Sequence, residues 1–202
     1  MFTGIVEEIG MITKVNRVSE QSIQLTIQAK RVLADVHLGD SIAVNGICLT
    51  VTHFSATEFT VDVMPETIKA TSLRTMDVGT NVNLERSLQP QGRLGGHFVT
   101  GHVDAIGEIT RKERVENAVY YDITVPDDLM IYFMDKGSIA VDGVSLTIFH
   151  VGKKSVTISL IPHTLEVTIL GEREVGDIVN IEGDMLAKHV HRQIEYYKKT
   201  FA

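Results

Sequence analysis

A single offset relates the two halves of this chain. Residues 41–51, SIAVNGICLTV, match residues 138–148, SIAVDGVSLTI, at seven of eleven positions. Separated blocks that share one offset indicate a tandem duplication, so the chain has to fold as two copies of one domain. The same offset of 97 relates Thr3-Gly4 to Thr100-Gly101, Pro65 to Pro162, and residues 78–85 to 175–182.

Each copy is predicted to be a β domain. Apolar residues alternate with polar ones in 22–29, 59–64 and 155–160, which is typical of half-buried strands. Short strands separated by glycine and asparagine turns favour a small closed barrel per copy, so the fold class is all-β. We expect domains at 1–97, including a Gly- and Pro-containing linker at 87–97, and at 98–183, followed by a tail at 184–202. Short helices are predicted at 30–37 and 126–135.

One pair of strands breaks the offset. The apolar face of 118–125 carries Val119 and Tyr121, whereas that of 22–29 carries Ile23 and Leu25. A shift of 97 would place these two faces on opposite sides of the sheet, because side chains alternate along a strand. The sequence therefore predicts a one-residue slip inside this hairpin.

The tail resembles neither copy. From Asp184 onward, MLAKHVHRQIEYYKK predicts a capped amphipathic helix with Lys198 and Lys199 near its end, where the helix dipole favours cations. The apolar stripe has to be buried, either on the chain's own barrel or against equivalent helices in an oligomer. The stripe comprises Leu186, Val190, Ile194 and Tyr197.

Composition restricts the functional classes. The chain is 44% hydrophobic and 22% charged, as globular proteins are, and its net charge of -7 disfavours a nucleic-acid partner. No apolar run approaches the roughly 18 residues of a transmembrane helix, so no membrane partner is expected. No signal peptide is visible at the N-terminus. Cys48 is the single cysteine, which makes a cytoplasmic location the default expectation.

Familiar catalytic motifs are absent from the sequence. It has no P-loop, no GxGxxG after a strand, no HExxH and no CxxC. His97 and His102 are five residues apart in a predicted extended segment, where they would face opposite sides, so we predict no metal site. The comparison of the two copies is more informative. Positions that differ in chemical type are Ile5 and His102, Asn45 and Asp142, Cys48 and Ser145, Met64 and Ile161, and Glu66 and His163.

Five blocks carry a resemblance to a known family. They are MFTGIVEEIG at the start, NGICLTV at 45–51, GGHFVTGHVD at 95–104, DGVSLT at 142–147 and IPHTLEVTIL at 161–170. Together they resemble the riboflavin synthase family of the α-chain type, over essentially the whole chain. The resemblance implies two similar six-stranded Greek-key-like β-barrels plus a C-terminal α-helix that assembles a homotrimer. It also implies an active site between the N-terminal barrel of one subunit and the C-terminal barrel of its neighbour.

The resemblance further implies the reaction. Two molecules of 6,7-dimethyl-8-ribityllumazine dismute by transfer of a four-carbon unit, giving riboflavin and 5-amino-6-(D-ribitylamino)uracil, without a cofactor or metal. Association with a lumazine synthase capsid, as in some family members, stays open. So does the assignment of donor and acceptor substrate to the two barrels.

Substrate-binding residues follow from the same resemblance, with one substrate in each barrel. The first set is Gly4, Ile5, Val6, Cys48, Leu49, Thr50, Asp62, Val63, Met64, Pro65, Glu66 and Thr67. The second set is Gly101, His102, Val103, Lys136, Ser145, Leu146, Thr147, Leu160, Ile161, Pro162, His163, Thr164 and Leu165.

Catalytic candidates come mainly from the divergent positions. The chemistry needs a proton removed from the C7 methyl of one lumazine and a nucleophile added at C7 of the other. His102 suits the acid–base role, because the unperturbed pKa of histidine is about 6.5. Cys48 and Ser145 are candidates for the nucleophile, or for holding a water molecule that is added in its place. The identity of the nucleophile therefore stays open. Thr147 completes this reactive set, and Asp142 and Asp184 are expected to orient the site or balance its charge.

A second function remains in view. Lumazine proteins share the duplicated fold but bind a chromophore as non-catalytic antennae, and they tend to lose reactive residues from one barrel. Here Cys48, His102, Ser145 and Thr147 are all present, which favours the enzyme. A flavin-reductase barrel is disfavoured because no nicotinamide-binding domain follows it.

Overall fold

The computed structural model describes residues 1–19 and 22–201. Their N-terminal half forms a closed antiparallel barrel in the order β1-β2-β5-β4-β3-β6. Its strands are β1 (Glu8–Ser19), β2 (Ser22–Gln28), β3 (Ser41–Val44), β4 (Ile47–Phe54), β5 (Glu58–Val63) and β6 (Asn81–Arg86).

The second half repeats this barrel with the equivalent order β7-β8-β11-β10-β9-β12. The structure thus confirms the prediction of two six-stranded Greek-key-like barrels in tandem. The strands of the second barrel are β7 (Ala105–Val115), β8 (Ala118–Thr124), β9 (Ser138–Val141), β10 (Val144–Val151), β11 (Ser155–Leu160) and β12 (Ile178–Gly183).

Each barrel encloses its own apolar core. Ile27 and Phe59 pair across neighbouring strands and are fully buried in the first core, and Ile123 and Val156 take the corresponding places in the second. Tyr121 lies inside the second barrel, where its hydroxyl donates a hydrogen bond to the Leu170 carbonyl at 2.9 Å. The alternation of apolar residues read from the sequence therefore does face the barrel interiors.

The predicted slip lies in the first hairpin of each barrel. Arg17 pairs with Ile23 in the first copy, and its counterpart Arg114 pairs with Val119 in the second. Residues 18–22 lie between the first pair and residues 115–118 between the second, so the second hairpin is one residue shorter. This deletion keeps Val119 and Tyr121 on the core side and confirms the prediction.

Both short-helix predictions are wrong in detail. Residues 30–37 form turns, because the backbone N–H groups of Lys30 and Val32 donate to the Glu8 carboxylate and do not enter a helix. In 126–135 only a 3-10 turn at Met130–Tyr132 forms. The short helices lie instead after β5 and β11, where α1 (Pro65–Ala70) and α2 (Pro162–Val167) each begin with proline, a residue suited to a first helical turn.

The tail forms the predicted helix, α3 (Met185–Phe201). Its start is fixed to the second barrel by an ion pair between Lys188 and Asp104 at 2.6 Å and by an edge-to-face contact between Tyr132 and His191. The stripe residues Leu186, Val190 and Ile194 are about half exposed in the single chain, so the chain's own barrel does not bury them. Within the described ranges, no helix is long and apolar enough to cross a bilayer.

Candidate active site

The two barrels meet along a pseudo-twofold axis. Gly46 and Gly143 touch each other there: a Cβ on Gly46 would lie 2.7 Å from the Gly143 nitrogen, and one on Gly143 would lie 2.6 Å from the Gly46 nitrogen. Reciprocal contacts of equivalent residues are what a twofold relation produces. The two copies are therefore held in one fixed and nearly symmetric arrangement.

Buried asparagines extend this symmetric contact. Asn83 donates to the Asp142 carbonyl, and its counterpart Asn180 donates to the Asn45 carbonyl, each at 2.9 Å. The side-chain oxygens of the two asparagines accept the backbone N–H groups of Ile169 and Ser72 from the opposite barrel. Because buried amides are costly unless they are hydrogen-bonded, this network fixes the register of one barrel on the other.

Each barrel also places its glycine segment on the other barrel. The Ser145 N–H donates to the Gly4 carbonyl, and the Cys48 N–H donates to the Gly101 carbonyl, both at 2.8 Å. Side chains follow the same exchange, since Val6 packs on the second core and Val103 on the first. The expected grouping of Gly4–Val6 with Cys48–Thr50 is therefore wrong.

Close backbone contact explains the glycines in these segments. A Cβ on Gly4 would lie 2.5 Å from the Ser145 Cβ, and one on Gly101 would lie 2.6 Å from the Cys48 Cβ. Both glycines have φ near the left-handed region, at 73° and 80°. A side chain at either position would push the exchanged segment off the opposite barrel.

Two buried carboxylates hold the exchanged segments in place. Glu85 accepts hydrogen bonds from the Thr3 N–H, the Thr3 hydroxyl and the Gly4 N–H at 2.7, 2.8 and 3.0 Å. Glu182 binds Thr100 and Gly101 in the same way. Burial raises the pKa of Glu85, while these donors act in the opposite direction.

The first pocket consequently combines three segments. They are Cys48–Thr50 at the start of β4, Asp62–Thr67 at the end of β5 and the start of α1, and the exchanged Gly101–Val103. The first two lie side by side because β4 and β5 are antiparallel, with Val51 opposite Val61. Leu49 and Val63 point into the core, Cys48 is half-buried, and Thr50, Asp62, Met64, Glu66 and His102 are exposed.

The second pocket is built in the same way from equivalent parts. It combines Ser145–Thr147 of β10, Leu160–Leu165 at the end of β11 and the start of α2, and the exchanged Gly4–Val6. Lys136 precedes β9, and its N–H donates to the Ile148 carbonyl of β10. Lys136 has φ of 66° where the first barrel has Gly39, so a strained backbone presents a lysine at this position. Ile5, Thr147, Ile161, Pro162 and His163 are exposed here.

His97 is a site residue that the sequence did not predict. Its Nδ1 lies 2.6 Å from the Ser145 Oγ in the second pocket. Burial lowers the pKa of His97, with a smaller opposing effect from the charge of Asp184. No local pattern in the sequence marks this pair, because 48 residues separate its members.

Asp142 does not face either pocket, contrary to the expectation. Its side chain is fully buried between the barrels, where it accepts the Asn180 N–H at 2.8 Å and forms an ion pair with Arg173 at 2.9 Å. Burial raises the pKa of Asp142, and Arg173 opposes that rise. The matched positions in the first barrel are Asn45 and Met76, so the Asn-to-Asp difference is explained by the arginine.

Asp184 has a structural role as well. Its carboxylate accepts the Leu186 N–H at 2.8 Å and thereby caps α3. The expectation that it would orient substrate is not met by this contact, although its charge does act on His97. In the part of the chain that the structure describes, no group of three or more His, Cys, Asp or Glu side chains is arranged to hold a metal ion.

A cavity of 860 Å³ lies on the outer side of the first barrel, along the linker. Ile5 is the one predicted site residue that lines it. The Arg86 guanidinium in this cavity is paired with the carboxylates of Glu7 and Asp35. Its charge is therefore already neutralised within the cavity.

Known proteins show the same division of the chain. The lumazine binding domain family matches twice, at residues 3–87 and 100–184. Among solved structures, LumP complexed with 6,7-dimethyl-8-(1'-D-ribityl) lumazine superimposes with a TM-score of 0.81 at 28% identity, covering 91% of this chain and 99% of LumP. The fold and its paired pockets thus define a protein with two lumazine-binding domains.

Curated relatives narrow this class. The riboflavin synthase of Bacillus subtilis (strain 168) is 57% identical over 192 residues, which span 95% of this chain and 89% of the relative. That of Bacillus amyloliquefaciens is 56% identical over 200 residues, which span 99% and 93%. The chain belongs to the riboflavin synthase family.

Proposed function

We propose that this chain dismutes two molecules of 6,7-dimethyl-8-ribityllumazine into riboflavin and 5-amino-6-(D-ribitylamino)uracil. The observation that carries the proposal is the pair of pockets with one architecture and unequal side chains. A reaction between two identical molecules needs two similar binding sites. It also needs a chemical difference between them, because one molecule donates the four-carbon unit and the other accepts it.

The difference between the pockets is concentrated at two matched pairs. His102 is exposed in the first pocket, where the second has Ile5, so at this matched position only the first pocket presents an imidazole to a ligand. Cys48 and Ser145 occupy equivalent places under the exchanged glycine segments. We assign His102 to removal of the C7 methyl proton, and Cys48, Ser145 and Thr147 to the nucleophile or the water that adds at C7.

Alignment of the two substrates supplies much of the rate. Well-oriented reactants reach effective molarities of roughly 10⁵ M or more, so the rigid framework around each pocket matters as much as any one side chain. The framework here comprises the exchanged segments with their carboxylate clamps, Glu85 and Glu182.

A homotrimer is the second part of the proposal, with each active site formed by the first barrel of one subunit and the second barrel of its neighbour. It is supported by the exposed stripe Leu186, Val190 and Ile194 on a helix whose start is already docked. Replacing all three by serine should convert the oligomer to monomers in sedimentation velocity and reduce activity. Leu38→Ser, at an exposed leucine outside α3, is the matched control. An intact oligomer in the triple variant would refute this assignment of α3.

Two further expectations belong to the same proposal. We place the protein in the cytoplasm, supported by its single free cysteine. Association with a lumazine synthase capsid is checked by co-sedimentation of the two purified proteins.

The deciding experiment uses the purified chain and one substrate. Incubation with 6,7-dimethyl-8-ribityllumazine alone should produce riboflavin, followed by its visible absorbance, together with an equal amount of the pyrimidine product. The competing function is the antenna, suggested by the likeness to the LumP complex. Tight binding of the lumazine with fluorescence but without riboflavin would favour the antenna and overturn the proposed enzyme.

A further inference from the structure

The end of the linker is pressed against Ser145. A Cβ on Gly96 would lie 2.2 Å from the Thr3 carbonyl oxygen and 2.6 Å from the Ser145 Oγ. The next residue, His97, donates its N–H to the same Thr3 carbonyl at 3.2 Å. The His97 backbone is thereby fixed beside the second pocket, although residues 91–96 before it are exposed.

Ser145 is held from two sides as a result. Its N–H donates to the Gly4 carbonyl at 2.8 Å, and its Oγ lies 2.6 Å from the His97 Nδ1. The His97 Nε2 is buried and has no hydrogen-bond partner within the described residues. A desolvated imidazole favours its neutral form, in which one ring nitrogen can accept a hydrogen bond. The charged group that acts on it is Asp184, at the cap of α3.

The first pocket has no such arrangement. The Cys48 N–H is bound by the Gly101 carbonyl, as Ser145 is by Gly4, but no described side chain hydrogen-bonds the Cys48 thiol. The imidazole contact is therefore specific to one of two otherwise equivalent sites, and common packing requirements of the two barrels do not account for it.

We infer that His97 is a positioning residue: its Nδ1 accepts the hydrogen bond of the Ser145 hydroxyl, so that the Ser145 oxygen turns its lone pairs toward the ligand in the second pocket. This inference rests on the proposed function and deepens it. It assigns the lumazine that receives the nucleophile to the second barrel, and the one that loses its C7 methyl proton to the first barrel beside His102.

The test is a pair of double-mutant comparisons on the full chain. His97→Ala should lower kcat on the order of 10- to 100-fold, the loss expected from a misplaced catalytic group. In a Ser145→Ala background the same change should have little further effect, because its target is gone. In a Cys48→Ala background the two losses should multiply, since no hydrogen bond among the described residues joins Cys48 to His97.

Three readouts separate positioning from a merely structural role. His97→Asn keeps a hydrogen-bonding group near the Nδ1 position and should recover part of kcat, while the dissociation constant for the lumazine stays near that of the unmodified chain. In a His102→Gln background, which removes the proposed base of the first pocket, the acid limb of the pH profile of kcat should lie below the ordinary pKa of histidine, about 6.5, because imidazolium has no lone pair to accept the Ser145 hydrogen bond. This limb should be lost in His97→Asn. The ¹⁵N shifts of the His97 ring should also change in Ser145→Ala.

The outcomes distinguish this inference from the proposed function. If the unmodified chain forms riboflavin but the His97 and Ser145 losses multiply as the His97 and Cys48 losses do, the inference is overturned and the function stands. If the unmodified chain forms no riboflavin, both are overturned. If His97→Ala does not fold, the His97→Asn kinetics and the ring shifts decide between the two roles.

Discussion

The buried pair of Asp142 and Arg173 offers a sharp test, because the chain contains its own neutral counterpart. Asp142 is fully buried, and the Arg173 side chain is 20% exposed. Two guanidinium nitrogens reach the Asp142 Oδ2 at 2.9 and 3.3 Å. At the matched positions of the first barrel, Asn45 accepts the Asn83 N–H without any ion pair.

Asp142→Asn should therefore keep the backbone hydrogen bond from Asn180 but leave Arg173 without its partner charge. Removing one member of a buried pair costs about 3–5 kcal/mol, and the partial exposure of Arg173 reduces this to about 2–4 kcal/mol. Arg173→Met should cost a similar amount, since it leaves the Asp142 carboxylate buried alone. The double variant recreates the Asn45 and Met76 combination and should lie within about 1 kcal/mol of the original.

Urea unfolding followed by circular dichroism, at one protein concentration for all four proteins, gives the free energies of unfolding. The coupling energy of the cycle should be at least about 3 kcal/mol in magnitude, because two losses of about 2–4 kcal/mol each combine into a change of only about 1 kcal/mol in the double variant. Additive losses in the double variant would contradict the ion-pair explanation. An Asp142→Asn protein with unchanged stability and strongly reduced kcat would instead restore the catalytic role expected from the sequence.

Three other predictions follow from the same contacts. Gly101→Ala should weaken lumazine binding in the first pocket and lower the free energy of unfolding by about 1–3 kcal/mol, because the added Cβ would meet Cys48. Gly79→Ala is the control for backbone strain alone in thermal melts, because Gly79 has φ of 90° but open space around it. Burial raises the pKa of Glu7, but hydrogen bonds from Arg86 outweigh this and hold it below its usual range. The contribution of the Glu7 carboxylate to the free energy of unfolding should be present above about pH 4.3 and lost as the pH falls further. Glu7→Gln should therefore make the free energy of unfolding less dependent on pH below that value. His102→Gln should lower kcat by a larger factor than it lowers the affinity for the lumazine. Equal factors, with kcat from steady-state rates and affinity from fluorescence titrations, would mean that His102 only binds the ligand.

The architecture could be predicted because its signals are local and occur twice. Alternation along 22–29 and 118–125 fixes which side chains face inward, and the comparison of the two strands revealed the shorter hairpin. The short helices α1 and α2 were missed because six residues show no helical period. The turns at 30–37 were misread because the Glu8 carboxylate, more than twenty residues earlier in the chain, binds their N–H groups.

The exchange of glycine segments lies beyond what the repeat can reveal. Two equivalent copies can pair Gly4 with Cys48 and Gly101 with Ser145, each within its own half. They can also exchange partners, so that Gly4 pairs with Ser145 and Gly101 with Cys48, and both arrangements preserve every match at the offset of 97. Only the contact between the barrels decides, and that contact depends on buried groups such as Asn83 and Asn180. The sequence does show two differences that belong together: Asn45 becomes Asp142, and Met76 becomes Arg173. Only when they are considered together do they indicate an ion pair in the second copy.

The exchange has a consequence for how two unequal sites can arise from a duplication. Because each pocket takes a segment from the other copy, neither barrel completes a pocket alone: the Gly4 carbonyl is bound by Ser145 and the Gly101 carbonyl by Cys48. A change in one copy then acts on the pocket of the other. His102 belongs to the second copy and is carried on the segment that completes the first pocket, whereas the linker residue His97 contacts the second pocket at Ser145. The chain thus places an exposed imidazole, His102, next to the glycine that contacts Cys48, and a half-buried imidazole, His97, in contact with Ser145.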